Sequence, residues 1–230
     1  MADQGTDVER LPIVYFSDVL CVWAFFAELR LAAVQRNFGE HVRLDMRFCS
    51  IFGDTRQKIA AAWSAKGGYE GFADHLQHAA QQFPEIKLHP DLWRSVRPAS
   101  SLSPHLYLKA VQLSEAEAGA PGAFERALRM MREAFFLEGL DIARQDVQRE
   151  VGRRSGVDND LVLKFIEDGR AHASLDTDYK EAENLGVKGS PTMILNQGRQ
   201  KLYGNVGYRI IEANIQELLR EPNADQASWC

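Results

Sequence analysis

Cys21 is the residue in this chain whose type and setting point most directly to chemistry. It stands in Ile13-Val14-Tyr15-Phe16-Ser17-Asp18-Val19-Leu20-Cys21-Val22-Trp23-Ala24-Phe25, which reads as a buried strand, a short turn, and a helix opening at or beside the cysteine. A thiol there lies on the positive end of the helix dipole, next to N–H groups that lack partners within the helix. Both effects favour the nucleophilic thiolate. A dithiol redox centre needs a second cysteine at position 24 to resolve a mixed disulfide, and Ala24 cannot serve. The expected chemistry is therefore that of one thiol. The competing reading is a small buried hydrophobe, the common fate of a free cysteine.

Other residues qualify that picture. Asp18 would raise the pKa of a nearby thiol, opposing the helix terminus; the alternatives are that it caps the helix or takes a proton, and capping is the expected role. Trp23 is expected to form a hydrophobic wall beside the thiol. Cys49 closes the second strand on the same sheet edge as Cys21, so it is a candidate second thiol if its orientation allows. Cys230, near the chain end, reads as an incidental thiol. His105 follows Ser103-Pro104 at a helix start and is a candidate base or hydrogen-bond donor to the thiol, against the commoner outcome of a solvated or satisfied histidine. Gly204-Asn205-Val206-Gly207 opens the last helix, where N–H groups would suit a carboxylate, with a plain capping loop as the alternative.

The elements that must position these residues follow from periodicity. Pro12 to Ser17 is continuously apolar, as in a strand buried on both faces. A helix is predicted from about Cys21 to Asn37, and then a strand over Val42 to Cys49, in which Val42, Leu44, Met46 and Phe48 alternate with Arg43, Asp45 and Arg47. Together they make a βαβ unit. From about Ile59 to Asp168 the spacing is helical, with segments at Ile59–Lys66, Gly71–Phe83, Leu102–Leu113, Phe124–Leu137, Asp146–Ser155 and Asn159–Asp168. The Trp63–Tyr69 stretch reads as a helix break. A further helix runs to about Asn184. Thr192–Leu195 and Lys201–Tyr203 then flank the turn Asn196-Gln197-Gly198-Arg199, and an amphipathic helix covers Tyr208 to Arg220.

Composition bounds the reading. The chain has 230 residues, a net charge of −5, and 45% hydrophobic and 26% charged residues, without a basic block, which argues against a general nucleic-acid binder. No apolar run approaches the roughly 18 residues a membrane span requires. The polar N-terminus carries no visible signal peptide. Cysteines at 21, 49 and 230 have neither metal-site spacing nor an obvious disulfide framework, so a reducing cytoplasm is expected and no metal site is predicted.

The order β-α-β, helical block, α, β-β-α resembles the DsbA-like branch of the thioredoxin superfamily over roughly 11–220. Within it, the likeness is to proteins related to 2-hydroxychromene-2-carboxylate isomerases and kappa-class glutathione transferases. Phe16–Ala24, Arg97–Leu106, Glu138-Gly139-Leu140-Asp141-Ile142 and Gly186-Val187-Lys188-Gly189-Ser190-Pro191-Thr192 carry the resemblance. It implies an α/β thioredoxin fold formed by 11–58 and 170–220, interrupted by a helical insertion at 59–169; the chain end at 221–230 is itself expected to be a flexible tail. The resemblance also implies a cis Pro191, with the Ser190 backbone facing the thiol and able to pair with an extended peptide, including glutathione. The departure is Ala24, where dithiol members carry cysteine.

The function expected from the resemblance is thiol–disulfide exchange through Cys21 alone. Trp23, Ser190, Pro191 and Asn205 would bind the substrate or glutathione, with Asp18, His105 and Cys49 as auxiliaries. No tightly bound cofactor is expected, and glutathione would act as co-substrate. The partner would be a small thiol or disulfide, or a peptide or protein disulfide, and a homodimer is compatible with the sequence. The alternatives are a glutathione-dependent transferase or isomerase acting on a small electrophilic or aromatic substrate, and a non-catalytic peptide- or thiol-binding protein.

Overall fold

A computed structural model of the protein describes residues 10–220. The expected tail at 221–230, with Cys230, lies outside the described residues. β1 (Leu11–Ser17) leads through a three-residue turn and Cys21 into α1 (Val22–Phe38), and β2 (Val42–Phe48) returns parallel to β1, Ile13 opposite Leu44 and Ser17 opposite Phe48. The chain next forms α2 (Gly68–Ala80), α3 (Leu102–Ala118), α4 (Ala123–Phe136), α5 (Gln145–Ser155), α6 (Asn159–Glu167) and α7 (Arg170–Asn184). It then re-enters the sheet as β3 (Thr192–Leu195) and β4 (Gln200–Tyr203) and ends in α8 (Tyr208–Arg220). Sheet order is β2-β1-β3-β4, with β3 antiparallel to both neighbours. This is a mixed α/β thioredoxin fold with a helical insertion between β2 and β3.

One expected helix differs. Residues 59–66 do not form a regular α-helix: Arg56–Ala61 is a wide π-type turn and Ser64–Lys66 a tight 3₁₀ turn. Gly67 and Gly68 follow with φ of 89° and 58°, so the chain reverses there before α2 begins.

The sheet is covered on both faces. Leu11, Ile13 and Tyr15 of β1 pack with Leu31 and Val34 of α1 and with Ile211, Ile215 and Leu218 of α8. The opposite face carries Phe16 and Ile194 beneath Ala182 of α7. The third and largest apolar cluster belongs to the insertion, and it takes in Val19, Leu20, Cys21 and Val22 together with Phe135, Phe136, Leu108 and Trp93. The turn that bears the thiol is therefore packed into the core of the helical block. Phe25 of α1 stacks on Phe136 of α4 with centroids 4.9 Å apart. Each such buried side chain contributes about 1.5–3 kcal/mol relative to an exposed one. α3 is the central helix of the block, packed against α4, α6 and α7.

Candidate active site

Cys21 is the N-cap residue of α1, with extended backbone angles (φ −84°, ψ 114°), and its carbonyl accepts the first helical bonds from Ala24 and Phe25. Its Sγ donates to the Ser190 carbonyl at 3.1 Å. The Ser190–Pro191 peptide bond is cis. A carbonyl cannot stabilise a thiolate, but other groups at the site can. The Ser190 hydroxyl and the N–H groups of Ala24 and Trp23 act to lower the thiol's pKa. Burial acts the other way and is the larger effect, since Cys21 is only 4% exposed, so the pKa is raised above the ordinary cysteine value. The expectation of a helix terminus favouring the thiolate is corrected here. The dipole acts, but it acts on a desolvated sulfur.

The loop before β3 is held close. The Ser190 hydroxyl accepts from the Asp18 N–H at 2.8 Å, which leaves its own proton for the sulfur. A Cβ at Gly189 would stand 2.4 Å from the Tyr203 hydroxyl, so a side chain there would displace the exposed Tyr203 ring that now lies against the loop. Pro191 O accepts from Gly204 N–H at 2.8 Å, so the same segment anchors the β4–α8 loop. Asn205 in that loop is exposed, and its side-chain oxygen accepts from Arg30 of α1 at 2.5 Å. Trp23 is half-buried and meets Phe26 edge-on at 5.8 Å.

Asp18 does not cap α1: Cys21 occupies the cap position, and none of the Asp18 carboxylate's donors belongs to that helix. Its fully buried carboxylate instead accepts from Leu20 N–H (3.0 Å), Ile51 N–H (2.9 Å), Phe52 N–H (2.8 Å) and the Ser101 hydroxyl (2.8 Å). One side chain thus ties the thiol-bearing turn to the segment after β2 and to the start of α3. His105 is corrected as well. It is fully buried, its Nε2 accepts from the Val19 N–H at 3.0 Å, and its Nδ1 pairs with the Tyr179 hydroxyl at 2.8 Å. Both ring nitrogens are therefore committed to partners other than the thiol. Burial lowers its pKa to about 4, so the ring is neutral at physiological pH.

Cys49, one residue past β2, donates its N–H to Ser17 O at 3.2 Å and sits 2% exposed among Phe16, Ala182 and Ile194. Cys21 and Cys49 are both free thiols, and each belongs to a different apolar cluster. Burial pushes the Cys49 thiol well up, and the Asp18 carboxylate adds to this. Ser101, Tyr179 and the N–H groups of Ile51 and Phe52 are site members that sequence reasoning missed. A Ser-Ser pair ahead of a helix signals a cap, yet the Ser101 hydroxyl turns to Asp18 instead. Tyr179 lies on α7 and carried no local signal.

A family model described as the DSBA-like thioredoxin domain matches residues 12–216. The chain belongs to the DSBA-like thioredoxin family. Among curated proteins, this DSBA-like chain is similar to the ClpXP adapter protein SpxH of Halalkalibacterium halodurans, 27% identical over 232 residues, 95% of this chain and 71% of that one. SpxH of Shouchella clausii is 28% identical over 120 residues, half of this chain and 40% of that one. Among solved structures, a Streptomyces coelicolor protein described as a probable DsbA oxidoreductase superposes with a TM-score of 0.72 at 17% identity, covering 96% of this chain and 93% of that one. The cytosolic disulfide reductase DsbM of Pseudomonas aeruginosa gives 0.61 at 22% identity, with 90% and 99% coverage. A 2-hydroxychromene-2-carboxylate isomerase gives 0.62 at 24% identity, with 94% and 100% coverage. These structural likenesses establish the DSBA-like fold. Among the described residues, no group of three or more His, Cys, Asp or Glu is placed to hold a metal, and no helix is long and apolar enough to cross a membrane.

Proposed function

We propose that the protein is a thiol–disulfide oxidoreductase that works through Cys21 alone, in a reducing compartment such as the cytoplasm. The observation that carries this reading is the Cys21 sulfur at the start of α1, 3.1 Å from the carbonyl of Ser190 in the prolyl loop, with Ala24 where a resolving thiol would stand. The Cys21 thiolate attacks one sulfur of a disulfide R–S–S–R′. A Cys21–S–S–R bond forms as the S–S bond of the substrate breaks, and R′–S⁻ leaves and takes up a proton. An external thiolate, for which glutathione is the candidate, then attacks the R sulfur and forms a mixed disulfide with R, restoring the Cys21 thiolate.

Deprotonation removes the S–H donated to Ser190, so that carbonyl becomes free to accept an N–H from an incoming peptide-like thiol. Meanwhile the Ser190 hydroxyl and the Trp23 and Ala24 N–H groups support the charge on sulfur. Because burial holds the pKa up, exchange at Cys21 accelerates as pH rises past the ordinary cysteine range.

Intact-protein mass spectrometry after incubation with oxidised glutathione over a pH series tests this reading. One glutathione added at Cys21, growing with pH and absent in Cys21→Ser but retained in Cys49→Ser, is the expected result. No adduct on the wild type would overturn it. Saturable binding of reduced glutathione without an adduct would then support a glutathione-dependent transferase or isomerase. A second reading, non-catalytic protein binding, is favoured by the 4% exposure of the thiol and by likeness to proteins named as ClpXP adapters. It predicts that Cys21 stays unmodified under the same conditions.

A further inference from the structure

The contacts around His105 fix more than its burial. Val19 N–H donates to Nε2 at 3.0 Å, so Nε2 must be unprotonated and the ring proton must lie on Nδ1. Nδ1–H then donates to the Tyr179 hydroxyl at 2.8 Å, which holds that tautomer in place. The ring plane is set by stacking on Phe48, with centroids 4.3 Å apart. The groups facing the imidazole are the Asp18 carboxylate, whose Oδ1 is 3.6 Å from Nε2, the Tyr179 hydroxyl and, farther off, the Arg132 guanidinium. Were Nε2 to carry a proton, it would turn from Val19 towards Asp18, and the acceptor for Val19 would be lost.

Val19 lies two residues before Cys21, while His105 is on α3 and Tyr179 on α7. We infer that His105, held as its Nδ1–H tautomer by Tyr179, is a positioning residue through which the helical insertion keeps the Cys21 turn seated and so restrains the reactivity of the thiol. This rests on the reading of Cys21 as the working thiol, and it names the control on that same site. With the acceptor removed, the Val19 N–H is left unpaired in an apolar core and is satisfied only if the turn moves outward to water. The sulfur is then less desolvated, and its thiolate fraction rises.

The test uses the full chain and no disulfide substrate. In the wild type, long-range ¹H–¹⁵N correlation of the histidine rings is expected to give the Nδ1–H pattern for His105. An Nε2–H pattern would overturn the inference. Alkylation of Cys21 by iodoacetamide, followed from pH 6 to pH 10, is expected to be about three- to tenfold faster at neutral pH in His105→Phe, with the profile displaced to lower pH. His105→Gln, whose side-chain oxygen reaches the Nε2 position, should return the wild-type profile. Tyr179→Phe, at a half-buried site that leaves the ring in place but frees its tautomer, should shift the profile in the same direction by less. Unchanged profiles in both His105→Phe and Tyr179→Phe, or a Gln variant that behaves as Phe, would overturn the assignment. Should His105→Phe fail to fold, Tyr179→Phe and the tautomer measurement decide. A wild type that forms no glutathione adduct would sink the exchange reaction while leaving these readouts intact, so the two failures are distinguishable.

Discussion

Two opposing fields meet at the Cys21 sulfur. The start of α1 and the Ser190 hydroxyl draw its proton off, and the surrounding apolar core holds the proton on more strongly. The same competition acts on His105, where it yields a clear pH signature. The unfolded chain binds a proton on this ring near the ordinary value of 6.5, whereas the folded protein refuses it until about pH 4. Between those values the unfolded state carries more protons. Stability is therefore full above about pH 6.5, is lost as pH falls towards 4, and changes no further from this group below that. The loss is on the order of 3 kcal/mol. Urea unfolding at steps from pH 7 to pH 4 should show a slope that is shallower in His105→Gln, which cannot titrate. Equal slopes in the two proteins would refute the assignment.

Among the elements, Asp18 is the join. Its Oδ2 takes three donors, from Ile51, Phe52 and Ser101, and its Oδ1 takes Leu20, so the exit from β1, the exit from β2 and the entry to α3 meet on one carboxylate. Asp18→Ala strands three buried donors and the part-buried Ile51 N–H, each buried one costing about 1–3 kcal/mol if left dry. The expected loss is at least about 3 kcal/mol by denaturant unfolding, together with faster amide exchange at Ile51 and Phe52. Asp18→Asn retains one acceptor oxygen, which can face the three-donor side, and should lose distinctly less than Asp18→Ala. Equal losses would mean that the site responds to charge rather than to acceptor count.

Across the whole molecule, the insertion and the sheet are bolted together by buried ions. Arg132 of α4 is fully buried, donating to Glu28 of α1 at 2.7 Å and to the Ser17 hydroxyl of β1 at 2.8 Å. Lys109 of α3 meets Asp178 of α7 at 3.0 Å, and Asp178 accepts the Phe48 N–H of β2 at 3.0 Å. Removing Lys109 would leave Asp178 buried and unpaired, whereas Arg132→Ala leaves Glu28, 21% exposed, able to reach water. Arg132→Ala should therefore cost less in urea unfolding than the about 3–5 kcal/mol of a fully buried orphaned charge. Arg132→Met combined with Glu28→Gln, which removes both charges and keeps the volume, should cost less than Arg132→Ala alone. If the double variant is the worse of the two, packing rather than the lone charge governs the site.

Local pattern alone determined the order of elements, the placing of Cys21 at a strand–helix junction, the β3–β4 hairpin and the want of a thiol at position 24. Apolar period, turn residues and helix polarity act over a few residues and can be read along the chain. The irregular path over 56–66 was not legible, since a π-type turn and an α-helix share much of their apolar spacing. Nor were the state of the thiol and the roles of Asp18, His105 and Tyr179. Burial is a sum over neighbours brought from everywhere in the chain, and the deciding hydrogen bonds span 86 residues from Val19 to His105, 83 from Asp18 to Ser101 and 172 from Asp18 to Ser190. A dipole at the start of α1 is written in the sequence. Whether it prevails over desolvation was decided only when the helical block closed on Cys21.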